Sequence, residues 1–338
     1  MLEIDVLLIS ILSTLIINFV LKRKNFCLDK KFYSHKSFAT KALTPISGGI
    51  IFSLLFILFF PNEDLYFKIL ILLLFVIGFL SDINYLISPT KRFFFQIFVI
   101  TIFLFFTQNF INTIRIPFFD YLLENIYFKY FFTLLCLLVL INGSNFIDGM
   151  NTLFLGYYLM IGIILLLLTK ELQIINSIMP LNIMVSILFI IFIFNFFGKL
   201  FSGDSGAYSI SFVLGFFMIN LVNLSEKISP YFIACLLWYP AYECLFSILR
   251  KSVKNKFLTK ADNKHLHHLI FSFFKEKTKF KSENINLLTG LSINLFNLII
   301  FFNAYNNVSQ TKNLIFLIFI SSSLYTFLYF YLSKNLSD

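Results

Sequence analysis

The chain has 338 residues, of which 59% are hydrophobic and 13% charged, and its formal net charge is +10. Soluble domains are typically about 45–50% apolar and about 25% charged, so this composition excludes an ordinary soluble fold. No basic segment is interleaved with aromatics in a polar module, so we expect no nucleic-acid partner. The four cysteines show no CxxC or paired spacing, which favours small buried hydrophobes over a disulfide framework.

Eleven apolar segments of roughly membrane-spanning length follow one another along the chain. The first is followed by charged residues and has no A-x-A-like cleavage site, which predicts a retained helix and not a signal peptide. The second and fifth are short, which predicts tilted or partly re-entrant helices. The sequence therefore predicts an all-α, polytopic integral membrane protein with about 11 transmembrane helices, ten being the alternative. The segments cover about 2–21, 46–60, 66–80, 93–110, 128–141, 153–169, 180–196, 206–224, 230–248, 286–304 and 313–332.

The positive charges predict which side of the membrane each loop faces. If all eleven segments cross, 21 of the 27 Lys and Arg residues lie on one side and six on the other. This asymmetry places the richer side in the cytoplasm, the N-terminus outside and the C-terminus inside. The two longest polar segments, 22–47 and 250–284, are then cytoplasmic. No repeat is visible, and we expect the whole chain, 1–338, to form a single membrane-embedded domain.

Four polar motifs lie on the predicted cytoplasmic side, and the first is the weakest. Asp82 follows the third apolar segment, and Lys91 and Arg92 come nine and ten residues later. A lone Asp at a helix end is most simply a solvated loop acid, so this motif by itself carries little functional weight.

The second motif is the segment from Asn142 to Gly149. Asn142, Asn145 and Asp148 fall at i, i+3 and i+6, so a helix end would align them on one face. Two amides and a carboxylate at a membrane interface suit a metal ion or a polar ligand, because intramembrane polar clusters are costly and usually functional. A helix end capped by Asn and Gly is the equally supported alternative.

The third motif is the glycine-flanked turn from Gly198 to Gly206. Its exposed backbone N–H groups, followed by a helix N-terminus, favour an anion such as a phosphate. Asp204 could hold Mg²⁺, which prefers oxygen ligands and substrate phosphates. The alternative is a plain turn with an N-capping Asp.

The fourth motif places three of the four histidines of the chain in four residues, at His265, His267 and His268. A zinc site is disfavoured because no Cys lies nearby and the spacing is too crowded for three ligands of one tetrahedral ion. Contacts to a phosphate or a sugar fit better, and a solvated basic loop is the alternative.

In these motifs the chain resembles the polyprenyl-phosphate N-acetylhexosamine-1-phosphate transferases of glycosyltransferase family 4, which are related to the phospho-MurNAc-pentapeptide transferases. The family's motifs occur in its order between Lys36 and His268. They are matched by Thr44, Pro45, Gly48 and Gly49; by Asn142, Asn145, Asp148 and Gly149; by Lys199, Phe201 and Gly203 to Gly206; and by His265, His267 and His268.

Several positions depart from the family's pattern. Ser81 stands where the first acid of an Asp-Asp pair is usual, and Asn151 stands where a second Asp follows the Asn-rich motif. The usual Arg after Thr-Pro is Ile46, for which Lys41 is the candidate substitute. The triple-His signature of the pentapeptide branch is absent, which points to the aminosugar branch.

The resemblance implies that an N-acetylhexosamine-1-phosphate passes from a UDP-sugar to undecaprenyl phosphate, that UMP is released, and that cell-surface polysaccharide synthesis begins there. It implies Mg²⁺ as the ion, with Mn²⁺ as the alternative, and Asp82, Asp148 and Asp204 as both metal ligands and catalytic residues. Residues expected to bind the substrates are Lys36, Thr44, Arg92, Asn142, Asn145, Asn151, Lys199, Gly203, Ser205, His265, His267 and His268.

The expected location is the bacterial inner membrane, with the site facing the cytoplasm and membrane lipid around the chain. A homodimer is the assembly that we consider. Two rival functions stay open at this point. A transporter would carry its polar residues near the bilayer midplane and not at one rim, and a catalytically lapsed homologue would bind polyprenyl lipid without transfer.

Overall fold

A computed structural model describes residues 2–29, 43–60, 65–253 and 264–335 of the chain. Within these ranges there are fourteen α-helices and no β-strand, apart from isolated bridges that pair Leu28 with Pro45 and Ile46 with Phe201. The predicted all-α membrane fold is confirmed. The helices are α1 (Leu2–Arg23), α2 (Gly48–Phe59), α3 (Leu65–Asp82), α4 (Pro89–Thr107), α5 (Pro117–Glu124), α6 (Ile126–Ile147), α7 (Leu153–Glu171), α8 (Ile175–Phe196), α9 (Gly203–Leu224), α10 (Pro230–Leu236), α11 (Trp238–Val253), α12 (Leu266–Lys277), α13 (Ser282–Asn306) and α14 (Thr311–Asn335).

Each predicted span corresponds to helical structure, but the fifth and the ninth differ from the predicted shape. In the described ranges nine helices are long and apolar enough to cross a membrane, and the count reaches ten if α10 and α11 form one bent span. The second predicted span is α2, whose 12 residues extend only about 18 Å at 1.5 Å per residue. The fifth, α6, is a full helix of 22 residues. The irregular span is instead the ninth, where α10 and α11 meet at 73°.

The break between α10 and α11 follows from Pro240. A proline has no N–H and its ring clashes with the carbonyl four residues earlier, which favours a break of the helix after Leu236. The Leu236 carbonyl that loses its helical partner accepts a hydrogen bond of 2.8 Å from the Tyr157 hydroxyl. An unpaired carbonyl in hydrocarbon would cost several kcal/mol, so this contact makes the bend tolerable inside the bundle.

Contacts between helix ends define two rims of the bundle. At one rim, Asp82 at the end of α3 accepts hydrogen bonds from the start of α9, and Pro45 before α2 pairs with Leu28 after α1. At the opposite rim, Arg115 donates to the carbonyls of Glu226 and Ser309. We call the first one the site rim. Helices α1, α3, α6, α8, α11 and α14 all run toward it.

Helix α9 lies at the centre of the bundle. It has the largest buried fraction among the candidate spans of the described chain and contacts α2, α3 and α6. Its Phe216 ring lies 4.1 Å from the Phe67 ring, and its Phe212 ring lies 4.9 Å from the Phe103 ring. Such aromatic pairs stabilise by about 0.5–1.5 kcal/mol beyond the area that they bury. The aromatic layer holds α9 against α3 and α4.

Two glycines let the neighbouring helices reach the backbone of α9. A Cβ on Gly49 of α2 would lie 2.2 Å from the Gly206 nitrogen, and a Cβ on Gly78 of α3 would lie 2.4 Å from Ser205 Cα. These are backbone atoms and cannot rotate away as a side chain can. The first turn of α9 is therefore contacted on two sides by helices whose contacting residues, Gly49 and Gly78, carry no side chain.

We expect Gly78→Ala to lower the thermal midpoint of the purified protein in detergent. Overpacking of this kind costs about 1–3 kcal/mol because the backbones must separate. The matched control is Gly162→Ala on α7, whose Cβ would meet only the ends of the Val185 and Met184 side chains, at 3.0 and 3.3 Å. Equal midpoints for the two variants would show that the close approach of α3 and α9 contributes nothing.

Candidate functional site

The N-terminus of α9 is capped by the carboxylate of Asp82. Asp82 Oδ1 accepts from the Asp204 N–H at 2.8 Å, and Oδ2 accepts from the Ser205 N–H at 3.1 Å and the Ser205 hydroxyl at 2.6 Å. The first N–H groups of a helix have no partner within the helix, and an anion there also favours the helix dipole. Gly203 has φ +76°, and a Cβ on it would lie 2.6 Å from Asp82 Oδ2. Position 203 therefore requires glycine for two reasons, its positive φ and the lack of space for a Cβ beside Asp82.

In the first turn of α9, Asp204 forms an ion pair with Arg92 of α4. The Arg92 Nη1 group donates to Asp204 Oδ2 and, over 2.6 Å, to Ser81 Oγ. Ser81 in turn donates to Asp204 Oδ2 at 2.6 Å. The two charged side chains are only 20% and 19% exposed, so solvent screens the pair weakly. Ser81, which replaces the usual acid, is thus part of the cluster, and Asp204 Oδ1 accepts no hydrogen bond within the described residues.

Helix α4 connects this cluster to α6. Gln96 lies one turn after Arg92 on the same face, and its Oε1 accepts from Asn142 Nδ2 at 2.9 Å. Gln96 is fully buried, and the same Asn142 amide also donates to the Leu138 carbonyl. The predicted Asn-rich motif and the predicted Asp-Ser turn therefore belong to one connected polar region.

The Asn-rich motif lies at the end of α6, as predicted for a helix end. Asn142 and Asn145 are in the last turns of α6, and Asp148 follows directly as its C-cap, with its N–H donating to the Asn145 carbonyl at 3.3 Å. All three side chains are half-buried at the site rim. Asp148 is therefore placed where a soluble ligand could reach it.

Three buried asparagines from other helices hold the turn that follows Asp148. Thr152 has φ +67°, a conformation that is strained for a β-branched residue. Asn195 of α8 accepts from the Thr152 N–H at 2.7 Å, and Asn294 of α13 donates to the Thr152 carbonyl at 2.8 Å. Asn286 of α13 accepts from the Asn151 N–H at 2.7 Å. Strained backbone persists only where its surroundings fix it, and such positions cluster at functional sites.

The histidine motif packs against the same turn. His267 Nε2 would lie 2.9 Å from a Cβ on Gly149, and His267 and His268 rings are 4.2 Å apart. His267 is fully buried, and neither of its ring nitrogens has a hydrogen-bond partner in the part of the chain that the structure describes. Burial, together with the neighbouring His268 and His265, holds the pKa of His267 well below its usual range, so its ring is neutral. A buried polar ring with two unmet nitrogens is suited to a ligand.

His265 contacts a buried acid that the sequence analysis did not select. Its Nδ1 lies 2.6 Å from Glu243 Oε1, and the Tyr325 hydroxyl donates to Glu243 Oε2 at 2.5 Å. Glu243 is 1% exposed and lies on α11, within the broken span. A carboxylate inside an apolar span was the signal that could have found it.

The remaining predicted residues occupy less central positions. Thr44 is buried and its hydroxyl lies 3.5 Å from the Gly198 carbonyl, while Lys199 is exposed on the adjoining turn. Ile46, at the family's usual Arg position, packs its side chain against Gly203. The site rim therefore offers an apolar side chain where a cation was usual. Lys36 lies outside the described residues, as does Lys41, the candidate substitute for that Arg.

The carboxylates fit a lightly coordinated Mg²⁺. No group of three or more His, Cys, Asp or Glu side chains is arranged around a common ion position in the described ranges. Mg²⁺ is usually held by only one or two carboxylates, with water and substrate phosphates completing the shell. The open Asp204 Oδ1 suits that role, and Asp148 is half-buried at the same rim. Asp82 is suited to a different one, because its two oxygens accept three hydrogen bonds from α9.

Part of the chain is similar to a known protein family. Residues 65–222 match the family model of Glycosyl transferase family 4, which confirms the predicted resemblance over this segment. The segment includes Asp82, Arg92, Asp148 and Asp204, whereas Thr44 and the three histidines lie outside it. A search of curated proteins found no match. The match supports a membrane-embedded transferase of the general kind that moves a sugar phosphate to a polyprenyl phosphate.

We expect Asn195→Ala to destabilise the turn after Asp148. The change leaves the buried Thr152 N–H and Leu200 carbonyl without their partners, at about 1–3 kcal/mol for each group. The matched control is Asn303→Ala, because the exposed Asn303 amide bonds only to its own helix. Hydrogen exchange at residues 149–153 should rise in the first variant only. Unchanged hydrogen exchange at these residues would show that Asn195 does not stabilise the turn.

Proposed function

We propose that this protein, as a glycosyl transferase family 4 member, transfers an N-acetylhexosamine-1-phosphate from a UDP-sugar to undecaprenyl phosphate and releases UMP. The observation that carries the proposal is the pairing of Asp204 with Arg92 at the capped N-terminus of α9. The N–H groups at this terminus already bind the Asp82 carboxylate, so it is the Arg92 cation and the open carboxylate oxygen of Asp204 that suit a metal-bound diphosphate. The family match supports the reaction class, and the sugar and the lipid are our own inference.

The reaction is a displacement at phosphorus. An oxygen of undecaprenyl phosphate attacks the β-phosphorus of the UDP-sugar, the bond to the oxygen that bridges the two phosphorus atoms breaks, and UMP leaves. Positioning and charge neutralisation dominate such reactions. A Mg²⁺ ion held by Asp204 and Asp148 would spread the charge that develops on the diphosphate.

The replacement of an acid by Ser81 is compatible with this chemistry. A phosphate monoester has a second pKa of about 6, so the attacking lipid phosphate is mostly ionised near neutral pH and needs no strong base. Ser81 instead supplies a hydrogen bond to Asp204 Oδ2, on the side that Arg92 also occupies. We therefore assign Ser81 and Arg92 to orienting Asp204, and Asp82 to fixing the turn that carries it.

The second half of the site would hold the sugar and the diphosphate. Asn145 offers its amide and Asn142 its Oδ1 on the face that leads to Asp148. Asn151 keeps a buried Oδ1 with no hydrogen-bond partner among the described residues. His265, His267 and His268 border the same turn. Two amides, a carboxylate and imidazoles suit the hydroxyl, acetamido and phosphate groups of a nucleotide sugar.

The proposal extends to the whole chain and its setting. We assign 1–338 to one membrane-embedded transferase domain, with the site rim in the cytoplasm of a bacterial inner membrane, where UDP-sugars are made. The excess of Lys and Arg on that rim supports this orientation. The product would initiate a cell-surface polysaccharide.

Purified protein with undecaprenyl phosphate and a panel of UDP-GlcNAc, UDP-GalNAc and UDP-QuiNAc should release UMP from at least one sugar. We expect Asp204→Ala to reduce that rate by roughly 100-fold or more, because a charge-stabilising group is lost. The matched control is Asp120→Asn, which alters an acid at the opposite rim that accepts from Thr113 and Ile114. Full UMP release by Asp204→Ala, or solute flux without UMP, would refute the proposal.

Removal of divalent cations should abolish UMP release, and Mg²⁺ should restore it, since the two anionic carboxylates repel a diphosphate unless a cation lies between them. Mn²⁺ is the ion to compare. Turnover that persists in excess chelator would exclude the metal role of Asp204 and Asp148, while leaving the transfer reaction itself intact.

A further inference from the structure

A buried carboxylate–imidazole–phenol group joins α11, the start of α12 and α14. Glu243 is 1% exposed, and each of its two oxygens has one partner: His265 Nδ1 at 2.6 Å and the Tyr325 hydroxyl at 2.5 Å. An acid within a membrane span is costly, and such residues are usually retained for function. The transfer reaction as described above makes no use of Glu243 or Tyr325.

The contact with Glu243 involves one particular nitrogen of His265, which is Nδ1. With Glu243 as a carboxylate, which can only accept, Nδ1 is the donor to Oε1. Tyr325 donates to Oε2, so each oxygen of Glu243 has a partner. Nε2 is then the only ring nitrogen of His265 that is available to a ligand, and it forms no hydrogen bond within the described ranges. Orientation of a histidine by a buried carboxylate is the arrangement seen in hydrolase triads and behind metal ligands.

The backbone before His265 is held by the same two helices. Arg250 of α11 donates to the Lys264 carbonyl and, at 2.6 Å, to the hydroxyl of Tyr329 on α14. The His265 ring lies 5.1 Å from the Phe146 ring, directly after Asn145, and is parallel to His267 at 5.6 Å. Both the ring and its attachment are therefore fixed beside the segment that carries Asn145 and Asp148.

We propose that Glu243, with Tyr325, is a positioning residue that locks His265 with its proton on Nδ1 and presents Nε2 to a substrate phosphate or sugar hydroxyl. The inference rests on the proposed function only in taking His265 to contact substrate. It gives a function to the broken ninth span, because α11, which follows the bend near Pro240, carries the Glu243 that contacts His265. Glu243, Tyr325 and the histidines all lie outside the family match.

The first test is the tautomer of His265, which needs no substrate. The chain contains four histidines, so ¹⁵N-histidine labelling in lipid nanodiscs gives four imidazoles that single substitutions can assign. We expect the proton of His265 on Nδ1, and UDP as the probe to move the Nε2 resonance while the Nδ1 resonance stays. A wild-type His265 protonated on Nε2 alone would overturn the inference, whether or not the protein releases UMP.

The second test compares Glu243→Met with Tyr242→Phe. Glu243→Met keeps the side-chain length but removes the acceptor, so we expect the His265 proton to move to Nε2 and kcat to fall roughly 10- to 100-fold with little change in KM. Tyr242→Phe breaks the neighbouring α11–α14 hydrogen bond, from Tyr242 to Thr326 at 2.6 Å, and leaves His265 untouched. We expect it to keep both the tautomer and kcat.

The outcomes separate the inference from the proposed function. A tautomer that moves in Glu243→Met, in a protein that makes no UMP, would support the positioning role and refute the transferase. A tautomer and kcat that stay unchanged in a folded Glu243→Met protein would refute the positioning role alone. An equal loss of kcat in both variants would indicate only the packing of α11 against α14 and would likewise overturn it.

Discussion

The capping of α9 by Asp82 is the contact on which the polar rim depends. Helix α9 starts inside an apolar bundle, where its first N–H groups would otherwise lose water without gaining a partner. Asp82 satisfies those of Asp204 and Ser205 and so fixes the direction in which the Asp204 side chain leaves the helix. The approach is possible because Gly49 and Gly78 admit the backbone of α9. Asp82, Gly49 and Gly78 thus fix the first turn of α9, which we call the platform of the site rim.

The rest of the rim extends from this platform by polar contacts that cross between helices. Arg92 and Gln96 on α4 connect Asp204 to Asn142, and the end of α6 continues to Asp148 and the histidines. A buried polar atom without a partner costs about 1–3 kcal/mol, so a folded protein keeps few of them. Several of those that the described residues do hold lie along this path, including Arg92 Nε, Asn151 Oδ1 and both nitrogens of His267. Their position is where a polar substrate would compensate for the loss of water.

Sequence patterns specify some features of this protein and leave others to contacts between distant residues. Hydropathy located the spans well, because lipid requires long apolar helices whatever their neighbours are. It missed the break at Pro240, since a proline within a span can either kink or end a helix and the neighbouring contacts decide. Local sequence alone indicated a solvated loop acid at Asp82, because the partners of Asp82 are 122 and 123 residues away in sequence. Glu243 passed unnoticed within an apolar segment, although a buried carboxylate there was a usable signal.

The sequence by itself determined the membrane class, the helical fold and the identity of the polar motifs, because composition and local spacing carry those properties. Tertiary structure decided what each motif does with its neighbours. It made Asp82 a cap, placed Ser81 and Arg92 on Asp204, and set three asparagines around a strained Thr152. It also joined Glu243 to His265 across two helices. These outcomes depend on hydrogen bonds between residues far apart in the chain, and no local pattern specifies such partners.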